Sequence, residues 1–209
     1  LLDINQKTEF YNINYDSLQN ICKSCTKCAL HKERKNVVVG HGPVPCNVMI
    51  IGEGPGQQED EQAIPFIGRS GQLLTKILES AGINRNNETF ITNTVKCRPP
   101  KNRTPLSSEI KACKPYLVRQ IQLVQPRIII LLGSPSLKTI LEEQLAISKV
   151  RGKWYTTRVN YMKEPLQIMP MFHPSYLLRN PSKEKGKPVW LTSQDAKTVK
   201  TKLDMYNIK

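Results

Sequence analysis

Four short apolar runs that alternate with helix-like segments are the feature that most constrains the fold of this chain. The runs lie within residues 47–56, 89–95, 127–133 and 166–172. Within RIIILLG at 127–133, residues 128–132 form a continuous apolar run, which is typical of a strand buried on both faces of a parallel sheet. The predicted helices cover residues 70–82, 107–124, 134–143 and 190–206. This alternation predicts an α/β fold, with a parallel sheet covered by helices on both faces, in a single domain over residues 1–209.

Small polar and glycine residues predict where three of these helices begin or end. Ser70 is the expected N-cap of the helix at 70–82, and Gly82 is its expected C-terminal stop. Ser107 or Ser108 would cap the next helix, and Ser134 would open the third.

The residues that could bind a ligand or take part in a reaction follow the predicted strands. The first strand is followed by GEGPG at 52–56, and the second by Asn93 and the basic loop 96–105. The third is followed by Gly133-Ser134, and the fourth by His173-Pro174-Ser175. Because parallel strands end at one edge of the sheet, these segments should meet at one ligand-binding rim. GEGPG matches neither the dinucleotide-binding glycine pattern nor the phosphate-binding loop of nucleoside triphosphatases, which argues against both.

The net charge indicates a polyanionic partner. The chain has 209 residues and a formal charge of +14, which suits a protein that binds nucleic acid through its phosphates. The charge alone is equally consistent with a basic surface that only contacts water. No apolar run reaches the roughly 18 residues of a membrane span, and no secretory signal is visible at the start. We therefore expect a protein that works inside the cell without a membrane partner.

Five of the six cysteines fall into two groups. Cys22, Cys25 and Cys28 follow C-x2-C-x2-C spacing, and Cys97 is separated from Cys113 by fifteen residues. Without a secretory signal, disulfides are disfavoured and clustered thiolates favour a metal or an iron–sulfur cluster. Zinc accepts the same four-thiolate set, so the residues alone leave both open. A set of small buried side chains is the third possibility.

Ordered motifs along most of the chain carry a resemblance to a known family. They are CTKCAL (25–30) with Arg34 and GHGP downstream, IGEGPGQQED (51–60), PFIGRSGQLL (65–74), ITNTVKCRPPKNRTP (91–105), EIKACKPYL (109–117), VRGKWY (150–155) and MFHPSYLLRNP (171–181). In these motifs the sequence resembles family-4 uracil-DNA glycosylases, the iron–sulfur type of that superfamily. The resemblance implies a three-layer α/β/α sandwich around a mostly parallel four-stranded sheet. It also implies hydrolysis of the N-glycosidic bond of uracil in DNA, which leaves an abasic site.

The resemblance assigns a base-binding group. Phe66 would stack on the extruded base, and the carboxamide of Asn93 would read the uracil edge. Glu59 would close the pocket near uracil C5 and exclude thymine. The structural alternatives are a core phenylalanine, a strand-end cap and an exposed acid at a helix start.

The catalytic assignment departs from the better-known superfamily members. Their first motif has an aspartate where this chain has Gly54, so Gly54 would only line the uracil site. The neighbouring Glu53 would then orient water, as in family 4 generally. His173 would donate a hydrogen bond to uracil O2 as negative charge develops there.

The same resemblance assigns DNA contacts and a cofactor. Leu177 would be an apolar wedge in the minor groove, and Arg179 would hold a phosphate. Arg98, Lys101 and Arg103 would contact phosphates as well, unless they form a solvated basic loop. The family spacing assigns Cys25, Cys28, Cys97 and Cys113 to a [4Fe–4S] cluster. It leaves out Cys22, although Cys22 and Cys25 share the same spacing, and it leaves out Cys46.

The favoured interpretation is therefore a monomeric, monofunctional glycosylase acting on uracil-containing DNA, single- or double-stranded. Its expected place is the bacterial cytoplasm, or otherwise an organelle. The alternatives are a nucleic-acid-binding module with a four-cysteine structural metal, and an iron–sulfur electron carrier.

Overall fold

Five strands form one sheet in a computed structural model that describes residues 1–142, 144 and 146–207. They are β1 (Val48–Gly52), β2 (Thr89–Asn93), β3 (Ile128–Leu132), β4 (Tyr155–Thr157) and β5 (Leu166–Met171). Their order is β2-β1-β3-β5-β4, and every pairing is parallel except the antiparallel β4–β5. The four predicted strands are confirmed. The predicted count of four is one too low, because β4 is a three-residue edge strand whose side chains are only partly buried and carry no apolar run.

Nine α-helices surround the sheet in the part of the chain that is described. They are α1 (Tyr15–Lys23), α2 (Gln57–Gln62), α3 (Arg69–Ser80), α4 (Arg85–Glu88), α5 (Ser107–Val124), α6 (Gly133–Leu141), α7 (Ile147–Val150), α8 (Pro174–Arg179) and α9 (Pro188–Asn207). Short 3-10 turns cover Ala29–Lys32 and Pro100–Asn102. The four predicted helices correspond to α3, α5, α6 and α9. Glu143, at the end of the third predicted helix, lies outside the described residues, as do residues 145, 208 and 209 of the predicted domain.

The predicted serine caps are wrong at all three helices. The residues at the N-cap positions of α3, α5 and α6 are Gly68, Leu106 and Leu132, and none of them supplies the side-chain oxygen that a cap provides. Acidic side chains supply acceptors at two of these ends. Glu109 accepts from the N–H of Leu106 at 2.7 Å, just before α5. Glu59 accepts from the N–H groups of Ile67 and Gly68, just before α3. Gly82 follows α3 with a φ of +79°, as its predicted role as a stop requires.

Alternate side chains of β1, an interior strand of the sheet, enter two apolar layers. Val48 and Ile50 pack with residues of α3, α8 and α9, whereas Met49 and Ile51 pack with residues of α5 and α6. Helices therefore cover both faces of the sheet, and the predicted α/β/α arrangement is confirmed. Among the described residues, no helix combines the length and the apolar character that crossing a bilayer requires.

Candidate active site

A cavity of about 390 Å³ lies at the carboxyl ends of β1, β2 and β5. All six residues that the sequence analysis assigned to catalysis or base binding line it, namely Glu53, Gly54, Glu59, Phe66, Asn93 and His173. The predicted convergence of these strand ends is confirmed. We call this cavity the rim pocket.

Gly52, the last residue of β1, lets an aromatic ring and an amide approach each other. A Cβ at this position would lie 2.5 Å from the Phe66 ring carbon Cζ and 2.5 Å from Asn93 Oδ1. Since real Cβ atoms do not tolerate such contacts, any other residue would push these two groups apart. The two predicted base-binding side chains therefore meet over one glycine.

The loop that carries Phe66 is held from three sides. Phe66 has a φ of +53°, which costs a non-glycine residue about 1–3 kcal/mol. Arg85 Nη2 donates to the carbonyl of Pro65 at 2.8 Å. Gly71 in α3 gives the Phe66 carbonyl room, since a Cβ there would lie 1.7 Å from it. These contacts fix the aromatic wall of the pocket before any ligand binds.

Glu59 supplies the third contact of this loop. Its Oε1 accepts from the N–H groups of Ile67 and Gly68 at 2.9 and 2.8 Å. One oxygen of the carboxylate is thus occupied in the wall of the rim pocket, where it anchors the start of α3. The geometry supports a positioning role beside Phe66, and exclusion of thymine stays a prediction.

Asn93 is buried and its side chain is unsatisfied. It is 1% exposed, and Oδ1 has no hydrogen-bond partner in the described part of the chain. A buried acceptor without a donor costs about 1–3 kcal/mol, so such atoms are uncommon. This atom marks the place where a ligand N–H would be satisfied.

His173 is neutral and has one defined tautomer. The N–H of Ser175 donates to Nδ1 at 3.1 Å, and the Ser175 hydroxyl lies 2.8 Å from the same nitrogen. An amide N–H cannot accept, so Nδ1 is the acceptor and the ring proton is on Nε2. Burial, and secondarily the cation of Arg179, lowers the pKa of His173 to about 4. The ring therefore offers an N–H without a positive charge. Its centroid lies 5.8 Å from the centroid of the Phe66 ring.

Glu53 has a half-buried carboxyl group at the junction of two cavities. Burial raises the pKa of Glu53, and a hydrogen bond with the Thr104 side chain opposes this shift. Its carbonyl accepts from Thr94 Oγ1 at 2.5 Å, which fixes its backbone. Such a carboxylate can hold a water molecule and take up a proton.

A second cavity, of about 1040 Å³, adjoins the rim pocket. It shares Glu53, His173, Ser175 and Arg179 with that pocket. We call it the basic groove, because four cationic side chains line it: Lys111, Lys114, Lys138 and Arg179. The exposed Tyr176 also lines it and packs on Phe172, with ring centroids 5.0 Å apart.

The structure changes part of the predicted DNA-binding set. Leu177 is fully buried in the core against α3 and α9, so its prediction as a wedge is wrong. Its helical position in α8 turns it inward, and its neighbour Tyr176 is the large side chain that reaches the surface. Arg179 is exposed beside both cavities, as expected for a phosphate contact.

The two arginines of the loop after β2 make contacts within the protein. Both Arg103 guanidinium amines donate to the Glu109 carboxylate, at 2.9 and 2.6 Å, so this charge is paired. Arg98 Nε donates to Asn102 Oδ1 at 2.8 Å. Both side chains hold the shape of the loop, and their phosphate contacts remain predictions.

The cysteines that were grouped by spacing lie in one apolar cluster. Cys22, Cys25, Cys28, Cys97 and Cys113 pack together with Phe10, Leu18 and Tyr116. All are free thiols, and Cys46 lies apart in another cluster. Arg34 Nη1 donates to Cys97 Sγ at 3.2 Å. In the described residues, no three His, Cys, Asp or Glu side chains are arranged to hold a single metal ion.

The donor set of this cysteine cluster nevertheless suits an iron–sulfur cluster. Such a cluster is broader than one ion and is held by four thiolates. Two cations, Arg34 and Lys96, lie where they would offset the negative charge of the thiolates. The sequence analysis did not single out Lys96, because a lysine in a basic loop gives no sign of burial.

Comparisons with known proteins indicate the family to which the chain is similar. The family model described as "Uracil DNA glycosylase superfamily" matches residues 39–197. The type-4 uracil-DNA glycosylase of Pyrobaculum aerophilum is 45% identical over 174 residues, covering 81% of this chain and 87% of that protein. The type-4 uracil-DNA glycosylase of Thermotoga maritima is 44% identical over 166 residues, covering 78% and 82%. That of Saccharolobus solfataricus is 44% identical over 173 residues, covering 80% and 79%.

Proposed function

The chain belongs to the uracil DNA glycosylase superfamily, and we propose that its rim pocket removes uracil from DNA by hydrolysing the N-glycosidic bond. This is a DNA N-glycosylase activity of base excision repair, like that named for the type-4 relatives. The single observation that carries the assignment of the site is the unpaired Oδ1 of Asn93. It lies beside the Phe66 ring, within a pocket that also contains a neutral imidazole N–H.

Base recognition follows from the pairing chemistry of this pocket. A base inside a duplex must leave the stack to be reached, and an aromatic ring then replaces its neighbours. Uracil presents N3–H and O4, and the carboxamide of Asn93 offers the matching acceptor and donor. Cytosine presents an acceptor at N3 and a donor at N4, so it would leave buried polar groups unpaired. Uracil is therefore preferred over cytosine.

During bond cleavage, the two candidate catalytic residues stabilise opposite charges, His173 the negative charge on uracil and Glu53 the positive charge on the sugar. As the C1′–N1 bond breaks, its electron pair leaves with uracil, and the His173 Nε2–H stabilises the charge that develops on O2. The sugar acquires positive character, which the Glu53 carboxylate stabilises while it orients water towards C1′. The water oxygen bonds to C1′, and its proton is taken up by Glu53. The burial that raises the pKa of Glu53 favours this uptake.

The DNA on one side of the uracil is proposed to occupy the basic groove. Its lysines suit phosphates, and Tyr176 offers a face on which a base can stack. Because the substrate is DNA, the enzyme acts where DNA is present. The monomeric state and the bacterial cytoplasm remain predictions.

The cysteine cluster is proposed to bind a [4Fe–4S] group through Cys25, Cys28, Cys97 and Cys113. When bound, the group supplies a four-way covalent link among the N-terminal segment, the loop after β2 and α5. The cysteines take no part in the hydrolysis, which needs only the residues of the rim pocket.

A labelled oligonucleotide with one uracil tests the function. Incubation followed by alkali should cleave the strand at uracil, and matched strands with cytosine or thymine should stay intact. Asn93→Ala should lower kcat/KM by about a hundredfold, since two neutral hydrogen bonds to the base are lost. Binding of the uracil strand without cleavage would instead identify a nucleic-acid-binding module.

A further inference from the structure

Lys96 is a buried lysine without a carboxylate partner. It is 1% exposed, and the ion pairs of the described residues do not include it. Cys113, Cys22 and Cys97 are the neighbours whose negative charge would act on its ammonium once they are deprotonated, as Cys113 and Cys97 would be as ligands of a bound group. A buried ammonium is costly unless its charge and its donors are satisfied.

The ammonium of Lys96 is tied to the end of β2. Nζ donates to Asn93 O at 2.6 Å and to Thr92 Oγ1 at 2.7 Å. Thr92 Oγ1 in turn donates to the carbonyl of Val39 at 2.8 Å. The hydrogen bond to Asn93 orients the peptide that follows the base-binding residue.

We propose that Lys96 is a positioning residue that couples the cysteine cluster to the base-binding amide of Asn93. The negative charge of the cysteine-bound group keeps the ammonium in the interior, and the ammonium keeps the Asn93 peptide in the orientation that directs Oδ1 into the rim pocket. Binding of the group at the cysteines therefore increases affinity for uracil at a site outside the cysteine cluster. This inference rests on the proposed function, because it takes uracil as the ligand of Asn93.

Lys96→Met tests the coupling, since methionine keeps much of the apolar length and removes the ammonium. Iron per chain should stay at the wild-type level, because every thiolate remains. The inhibition constant of free uracil should rise about tenfold, as expected for loss of a hydrogen bond to a charged group. Lys200→Met is the matched control, since Lys200 lies in a surface ion pair with Asp204, and it should leave both values unchanged.

A double variant separates positioning from a general loss of structure. If Lys96 acts through Asn93, then Lys96→Met added to Asn93→Ala should raise the inhibition constant no further than Asn93→Ala alone. Independent, multiplying effects would overturn the inference.

Thr92→Val keeps the test decisive if Lys96→Met does not fold or does not retain iron. It removes one acceptor of the ammonium and leaves the cysteines intact, while the Val39 carbonyl still accepts from Gln120. The inhibition constant of uracil should rise severalfold with full iron content. A wild-type constant in Thr92→Val, or in iron-replete Lys96→Met, would overturn the inference. A wild-type constant in Asn93→Ala would instead contradict the proposed function.

Discussion

The backbone N–H of Ser175 donates to Nδ1 of His173, and this contact assigns the ring proton to Nε2. The His173 imidazole thus caps the N-terminus of α8 through Nδ1 and keeps a single N–H for the rim pocket. In the proposed reaction the negative charge develops on uracil itself. A neutral N–H can stabilise that charge by donating a hydrogen bond to it. The Ser175 contact therefore fixes the tautomer of the proposed catalytic donor, and burial keeps it neutral.

The neutrality of His173 predicts a particular pH dependence. Burial holds its folded-state pKa at about 4, against 6.5 for the free side chain. Below pH 6.5 the unfolded chain takes up this proton before the folded chain does. The contribution of His173 to the free energy of unfolding should therefore decrease as the pH falls from 6.5 to about 4.

NMR of the ring nitrogens is the direct measurement of this prediction. We expect an Nε2-protonated neutral ring at pH 7 and no titration of His173 above pH 5. A His173 titration midpoint near 6.5 would contradict the prediction. His173→Ala should lower the excision rate by about a hundredfold or more, in line with the loss of one donor to a developing oxyanion.

Replacement of Glu59 separates its structural contact with the Phe66 loop from its predicted exclusion of thymine. Glu59→Ala removes the acceptor of the Ile67 and Gly68 N–H groups, so the free energy of unfolding should fall by about 1–2 kcal/mol. Excision of uracil should slow as the Phe66 loop loosens, and thymine should become a substrate if Glu59 also closes the pocket near C5. The measurements are denaturant unfolding and cleavage of paired uracil and thymine strands.

Two controls accompany this variant. Glu59→Gln keeps an oxygen acceptor and should lose less stability than Glu59→Ala. Glu61→Ala, at an exposed ion pair two residues away, should change stability only slightly. Appearance of thymine cleavage in Glu59→Ala would show that Glu59 excludes the thymine methyl group.

The cysteine assignment predicts a difference between two buried thiols. Cys97 and Cys46 are 7% and 8% exposed, but only Cys97 lies in the cysteine cluster. Cys97→Ala should lose iron and visible absorbance, whereas Cys46→Ala should retain both. Iron and sulfide analysis of the purified variants is the measurement, and full iron occupancy in Cys97→Ala would contradict the assignment.

Cys22 needs a separate variant because it packs among the other cysteines of the cluster. If the four-cysteine assignment is right, Cys22→Ala should retain iron. Loss of iron in that variant, with retention in Cys28→Ala, would move the ligand pair from Cys25 and Cys28 to Cys22 and Cys25.

The sheet and its rim could be predicted because their signals are local. A short, continuous apolar run such as that within 127–133 must be buried on both faces, as in a parallel sheet covered by helices. Parallel strands then bring Glu53, Asn93 and His173 to one edge of the sheet. The inward turn of Leu177 and the burial of Lys96 depend on which face of a helix or loop packs on the core. Neither residue type nor spacing carries that information, and Glu59 replaces a serine cap only through a tertiary contact.

The basic groove predicts a measurable change in salt dependence. Each lysine that neutralises a phosphate of single-stranded DNA contributes about 0.7 to the slope of log affinity against log salt. Lys111→Gln and Lys138→Gln should each weaken binding of a uracil oligonucleotide and reduce the slope by about that amount. Lys163→Gln is the matched control, since Lys163 lines a cavity formed with residues that precede β1 and β3, at the other end of the sheet. Fluorescence anisotropy at several salt concentrations gives the slopes. Equal slopes for the groove variants and Lys163→Gln would place the DNA elsewhere on the basic surface.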